Sequence, residues 1–238
     1  MSNGKKKIAV LTGAGVSAES GISTFRDNGG LWEQYDPQRV ASIEGWHADR
    51  NLMLEFYNRQ RLQLRDVRPN AAHAAIAELE KDCDVTVITQ NVDNLHERAG
   101  STRIIHLHGE LTKVRPEYGE YDRTFSEKEV FDIGYTEIHL GDMAPNGRQL
   151  RPHIVWFGES VPMIEKAIDA VEAADILLIV GTSLQVYPAA GLYRYARQGV
   201  PVYVIDPQEL TVRDSRLRHI REPATRGMDT FCRILAEL

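Results

Sequence analysis

The run Ile8-Ala9-Val10-Leu11 passes without a break into Thr12-Gly13-Ala14-Gly15-Val16-Ser17, and this join limits the fold more than any other stretch. Four apolar residues, two of them flanking small Ala9 and β-branched Val10, predict a buried strand, and the glycines that follow predict a tight turn into a helix. At the carboxyl end of a parallel strand such a turn presents backbone amides and a helix N-terminus to an anion. The arrangement suggests a pyrophosphate site at Gly13, Ala14, Gly15 and Ser17; a plain tight turn is the alternative. Ser17 to Ser20 precede the next glycine, Gly21, so Gly-x-Gly-x-x-Gly is incomplete, and the absence of Gly-Lys-Ser/Thr argues against a mononucleotide P-loop.

Further strands are predicted at 85–89, 104–107, 176–180 and 202–205, with helical stretches between most of them. This alternation predicts an α/β, doubly wound, Rossmann-like parallel sheet. Pro69-Asn70 predicts a helix start, with Ala72, Ile76 and Leu79 on one face; Met228, Phe231, Cys232 and Leu235 mark a closing amphipathic helix. Residues 28–68 and 109–153 do not follow the alternation. The expectation is one catalytic domain over 1–238, in which these two segments pack as a smaller module and leave a ligand cleft beside the main sheet.

Composition narrows the classes of partner. With 34 Asp plus Glu against 28 Lys plus Arg in 238 residues, the net charge is −6, which does not suit a general nucleic-acid binder. No apolar run reaches membrane-span length and the N-terminus lacks a signal-peptide core, so a soluble, cytoplasmic protein is expected. Cys83 and Cys232 are far apart in sequence, in apolar or helical contexts, and read as structural thiols.

Thr89-Gln90-Asn91-Val92-Asp93-Asn94-Leu95-His96 follows the second predicted strand directly. It brings amides and a carboxylate to that strand's end, suited to ribose hydroxyls and a carboxamide. Helix capping by Asn91 and Asp93 is the alternative. Farther on, His106-Leu107-His108-Gly109-Glu110 ends another strand. Alternation puts both histidines on one side, and Gly109 permits close approach; the readings are general-base chemistry or packing.

Taken in order, Gly13-Ala14-Gly15-Val16-Ser17-Ala18-Glu19-Ser20-Gly21-Ile22-Ser23-Thr24-Phe25-Arg26-Asp27, the Thr89 to His96 run, His108-Gly109, Val155-Trp156-Phe157-Gly158-Glu159 and Gly181-Thr182-Ser183-Leu184 resemble the sirtuin family of NAD-dependent protein lysine deacylases. The resemblance implies a sirtuin-like fold and an NAD site at Gly13, Ala14, Gly15, Ser17, Phe25, Arg26, Gln90, Asn91, Asp93, Gly181, Thr182, Ser183 and Asp206. It implies His108 and Asn91 as catalytic residues, with His108 the base. It also implies acyl-lysine proteins or peptides as partners, with the peptide added as a short strand on Val155, Phe157 and the space at Gly158, and Tyr57 in the acyl pocket. Phe25 would shield the reacting ribose and limit hydrolysis.

The chain departs from that family at three places. No cysteine lies between Gly109 and His153, so the two Cys-x-x-Cys pairs are absent and no zinc is expected; Tyr118, Tyr121, Phe125, Phe131, Tyr135, Ile138 and Leu140 are the expected apolar replacement, with a His139/Asp142 metal site as the alternative. In Tyr57-Asn58-Arg59-Gln60-Arg61 a glutamine stands where members selective for acidic acyl groups have arginine, which favours neutral acyl groups over succinyl or malonyl. Asp206 replaces a common asparagine; its carboxylate suits ribose hydroxyls and disfavours an added ribose phosphate. Protein ADP-ribosyl transfer and a nonenzymatic NAD-responsive interaction module are the alternative functions.

Overall fold

The computed structural model describes residues 4–22, 35–118, 126–210 and 212–238. In chain order the elements are β1 (Lys7–Thr12), α1 (Ala14–Ala18), α2 (Pro37–Val40), α3 (Ile43–Ala48), α4 (Arg50–Asp66), α5 (Ala71–Glu78), β2 (Asp84–Thr89), α6 (Leu95–Ala99), β3 (Ile104–His106), β4 (Gly109–Pro116), β5 (Phe131–Asp132), β6 (Leu150–Ile154), α7 (Ile164–Ala173), β7 (Ile176–Val180), β8 (Val202–Ile205), β9 (Leu217–Ile220) and α8 (Ala224–Ala236). Six strands form a sheet in the order β3-β2-β1-β7-β8-β9, all parallel. The chain goes from β1 to β2 on one side and later returns to place β7 on the other. The carboxyl ends of β1 and β7 therefore mark the switch point at which open α/β sheets leave a crevice.

Both faces of the sheet are covered, so its central strands β1 and β7 carry the continuous apolar runs Ile8 to Leu11 and Ile176 to Val180. Ile8 and Val10 pack on one face with Ala72, Ile76, Met228 and Phe231. Ala9 and Leu11 pack on the other with Ala167, Val171 and Leu192. Asn70 starts α5 as expected: its Oδ1 accepts the Ala72 N–H at 2.9 Å, and His73 completes a capping box. Cys83 and Cys232 share the first of these cores, and burial raises both thiol pKa values, as expected of inert structural thiols.

A second, antiparallel sheet has the order β5-β4-β6. Its Leu111, Val114, Ile154 and the nearby Ile138 share a third core with Val40, Trp46, Met53, Phe56 and Tyr57. The metal-independent replacement differs from the expectation. Phe131, Ile138 and Tyr135 join this core, whereas Leu140 is 53% exposed. Tyr118 is tied to the carboxylate of Glu129 and lies under the guanidinium of Arg148. Tyr121 and Phe125 lie outside the described residues. The cross-link is polar: buried Gln149 accepts the Gly141 N–H at 2.8 Å and donates to the carbonyls of His139, Asp142 and Leu150 at 2.9, 3.2 and 3.0 Å. Asp142 accepts the His139 backbone N–H at 2.7 Å, so it closes a turn with the partner proposed for a metal.

Replacing Gln149 with Leu removes the acceptor of the Gly141 N–H and a donor to the Leu150 carbonyl, while the His139 and Asp142 carbonyls keep the N–H donors of Asp142 and Leu150, and should cost roughly 1–3 kcal/mol of stability. Urea unfolding of wild type and Gln149→Leu measures the difference.

Candidate active site

The first glycine turn is closed against the second. The amides of Gly13 and Gly15 donate to the carbonyls of Val180 and Gly181 at 3.0 and 2.9 Å. A Cβ on Gly15 would lie 2.7 Å from the Gly181 Cα, and one on Gly181, whose φ is +64°, would lie 2.3 Å from the Val16 nitrogen. Two expectations are corrected here. These two amides serve turn-to-turn packing and are not held open for an anion, and α1 is only five residues long, too short for a strong dipole. The glycines are required because two backbones touch.

Asn91 bridges this junction to the second motif. Its Nδ2 donates to the Gly13 carbonyl at 3.2 Å and to Ser17 Oγ at 3.0 Å. Ser17 Oγ in turn donates to Asp93 Oδ2 at 2.9 Å, and Asp93 Oδ1 accepts the Leu95 N–H at 3.0 Å. Asp93 thus closes a turn onto the first residue of α6, whose N-cap is Asn94 without a side-chain cap bond, while Asn91 binds the glycine turn. Gln90 donates through Nε2 to Thr182 Oγ1 at 3.1 Å, linking the ends of β2 and β7; Ser183, next in the turn, is half-buried. Asp206, at the end of β8, accepts the Gln208 N–H at 2.8 Å, a turn role that occupies Oδ1. Phe25 and Arg26 lie outside the described residues.

The histidine pair also departs from expectation. β3 stops at His106 and a turn carries Leu107 and His108 into β4, so alternation along one strand does not relate the two rings. Gly109, with φ +80°, makes that reversal; a Cβ there would lie 1.9 Å from the His153 carbonyl oxygen. His108 Nδ1 meets the Gln90 carbonyl at 3.0 Å. Since a carbonyl only accepts, Nδ1 carries the hydrogen and Nε2 keeps its lone pair. Burial lowers the His108 pKa, with the Gln90 bond opposing it, so the ring is neutral at pH 7. That is the form a general base requires.

Val155 to Glu159 is more occupied than expected. The Val155 N–H donates to the His108 carbonyl, the Phe157 N–H donates to the Ala41 carbonyl, and the Phe157 carbonyl accepts from the Ile43 N–H. The space at Gly158 is filled too: a Cβ there would approach Ile43 Cγ2 to 2.8 Å. This segment braces His108 and α3, and what it offers outward is the Phe157 ring, 51% exposed. Tyr57 is buried, and its hydroxyl accepts from Trp156 Nε1 at 2.8 Å. Gln60 has a buried Nε2 without a hydrogen-bond partner.

Sequence reasoning missed the layer behind the site. His73 and His96 are buried with ring centroids 4.9 Å apart. His96 Nε2 lies 3.1 Å from Thr12 Oγ1, and His73 Nε2 lies 3.4 Å from Ser17 Oγ. Burial lowers their pKa values to about 3 and about 4. Isolated histidines on helices carry no signal of this meeting. The one group among the described residues with metal-like convergence is Glu97, His106 and Glu110, whose ligand atoms lie within 4.8 Å of one another. His106 Nε2 already meets Glu97 at 2.6 Å and Lys113 already pairs with Glu110 at 2.7 Å.

The polar groups at the ends of β2, β7 and β8 are amides, hydroxyls and carboxylates. This donor and acceptor set fits the ribose hydroxyls and carboxamide of NAD.

His73 and His96 predict how stability depends on acid. An unfolded histidine takes up a proton near pH 6.5, whereas folded His73 and His96 resist until about 4 and about 3. The unfolded state therefore binds more protons in that window, and stability must fall as pH drops from about 6.5 toward 4. Thermal midpoints across that range check this, and His73→Asn should flatten the slope.

The Sir2 family model matches residues 13–188. An NAD-dependent protein deacylase of Bacteroides thetaiotaomicron is 54% identical over 97% of this chain and 98% of its own length. One from Helicobacter pylori is 48% identical over 98% and 97%. Among solved structures, a Sir2 homologue in complex with NAD has a TM-score of 0.85 at 37% identity, covering 98% of this chain and 90% of its own. A Sir2 structure with a p53 peptide and NAD+ has a TM-score of 0.79 at 27% identity, covering 99% and 96%. Across sequence and fold alike, this chain belongs to the Sir2 family.

Proposed function

We propose that this protein is an NAD-dependent protein lysine deacylase that acts on acyl-lysine proteins or peptides, transfers the acyl group to ADP-ribose and releases nicotinamide. The observation that carries this reading is His108, a neutral imidazole whose Nδ1 is held by the Gln90 carbonyl at 3.0 Å, in a chain matched almost end to end by NAD-dependent protein deacylases. NAD, when bound, supplies an activated glycosidic carbon and the ribose hydroxyl that receives the acyl group. The chain's own residues do the rest. Asn91, Asp93, Gln90, Thr182, Ser183 and Asp206 hold the cofactor's polar groups; Gly13, Ala14, Gly15, Ser17 and Gly181 shape the floor beneath it; the family motif assigns Phe25 and Arg26 to the same cofactor. His108 Nε2 accepts the ribose-hydroxyl proton.

The peptide lies along Val155 to Gly158, with the Phe157 ring toward it and Tyr57 at the acyl pocket. Asp206 keeps one carboxylate oxygen for a ribose hydroxyl, which favours NAD over NADP. We also infer one catalytic domain, with 28–68 and 109–153 as its smaller module, and a cytoplasmic location. Two free thiols and the lack of any helix, among the described residues, long and apolar enough to cross a membrane accord with that location.

His108→Ala should lower deacylation by about 10²- to 10⁴-fold and leave NAD binding nearly intact. Mass spectrometry of products from NAD and an acetyl-lysine peptide reads free lysine and O-acyl-ADP-ribose, and protein-linked ADP-ribose would indicate transfer to protein instead. A second expectation concerns Gln60. Because an amide donates a hydrogen bond but cannot neutralise a carboxylate, kcat/KM should be higher for acetyl and longer neutral acyl peptides than for succinyl peptides of the same sequence. A strong succinyl preference would refute the neutral-pocket assignment.

A further inference from the structure

The two histidines around the β3 turn address successive carbonyls of the cofactor loop. His108 Nδ1 meets the carbonyl of Gln90 at 3.0 Å, and His106 Nδ1 meets that of Asn91 at 3.4 Å. Their other nitrogens face opposite environments. Among the described residues nothing anionic is paired with His108, whereas His106 Nε2 lies 2.6 Å from Glu97 Oε1 and 4.0 Å from Glu110 Oε2, with the side chain 9% exposed. A ring whose two nitrogens both face acceptors is satisfied only as the doubly protonated imidazolium. The charge thus joins α6, through Glu97, and β4, through Glu110, to the backbone of the loop that carries Asn91 and Asp93.

We propose that His106 is a positioning residue for deacylation: a buried cation, clamped between Glu97 and Glu110, that donates to the Asn91 carbonyl and holds the Gln90 to Asp93 loop in its NAD-binding geometry. The assignment rests on the deacylase reading above. Asn91 is the linchpin of that loop, because its side chain reaches Gly13 and Ser17 while its carbonyl is the group His106 holds. The cation also favours the ionised form of Asp93, opposing the rise that burial imposes.

Charged and titratable groups from α6, β4, β6 and the loop interact with His106 directly or, for Lys113, through Glu110. Glu97 and His96 come from α6, Glu110 and Lys113 from β4, His153 from β6 and Asp93 from the loop itself. The bonds and charges of Glu97 and Glu110 outweigh desolvation, and the His106 pKa is raised. A raised histidine keeps its proton through neutral pH and loses it as pH rises through that higher value. Positioning is therefore lost on the alkaline side, opposite to the acid side on which His108 becomes protonated.

The test uses the full-length chain with His106→Gln, which keeps a donor but no charge, and Glu97→Gln, which keeps an acceptor but lowers the His106 pKa. Three readouts apply: NAD binding by calorimetry, amide exchange over residues 89–95, and the pH profile of kcat/KM for NAD. His106→Gln should bind NAD about tenfold more weakly, exchange faster at the loop and lose the alkaline limb. Glu97→Gln should move that limb to lower pH. Wild-type affinity, exchange and pH profile in His106→Gln overturn the proposal. If His106→Gln does not fold, an unmoved limb in Glu97→Gln overturns it. Binding and exchange need no turnover, so they stay readable even if the deacylase reading fails, which the product analysis decides separately.

Discussion

The contact between the turns after β1 and β7 is the constraint from which the site follows. Two strand ends at the switch point of the sheet come so close that the backbone of Gly15 lies against that of Gly181, and a methyl group on either would collide with main-chain atoms. Close packing at this density tolerates no added carbon without moving both turns. Because the turns are locked together by two backbone hydrogen bonds, the Gly13 carbonyl becomes a fixed acceptor for Asn91. Asn91 then fixes Ser17 and, through it, Asp93. The cofactor loop is in this sense an extension of sheet packing, and the placement of His108 under the Gln90 carbonyl is the last link.

Around that framework, one residue type is put to three electrostatic uses by environment alone. Among the described residues, His73 and His96 are buried without a carboxylate bonded to the ring, and they are held neutral by desolvation. His108 is half-buried and bonded to a carbonyl, which fixes its tautomer while leaving it uncharged. His106 is equally enclosed, yet two glutamates reverse the effect of desolvation and raise its pKa. Desolvation and an adjacent carboxylate act in opposite directions on an imidazole, and which one dominates decides whether the side chain is a base, a cation or a filler.

The smaller sheet shows a different substitution of one kind of bond for another. In a tetrathiolate site the metal ties two loops by four strong directional contacts. Here the Gln149 amide ties Gly141, His139, Asp142 and Leu150 together. It works because the amide is 7% exposed, where unmade backbone bonds would be costly. Aromatic packing contributes through Phe131 and Tyr135, but the cross-link is a hydrogen-bonded hub.

Much of the fold was legible in the sequence because its signals are local. The unbroken apolar run Ile8 to Leu11, the Asn70 cap and the apolar face of Met228 and Phe231 each depend on residues a few positions apart, and the parallel strands and helices follow from them. The motifs likewise picked out His108, Asn91 and Asp93 as candidates, and folding gathers them around the loop after β2, since strand ends collect polar side chains in an α/β sheet. What tertiary structure decided is everything set by distance across the chain. The same glycines that spell a phosphate turn are consumed by contact with Gly181; the bareness of Gly158 is consumed by Ile43; and the pKa values of four histidines depend on partners from other elements. Burial and pairing are properties of the space between elements, and no local pattern encodes them. Sequence alone determined the residues available for chemistry and the order of the elements that carry them. Only folding decided which of those groups are charged, which are bonded and which remain able to react.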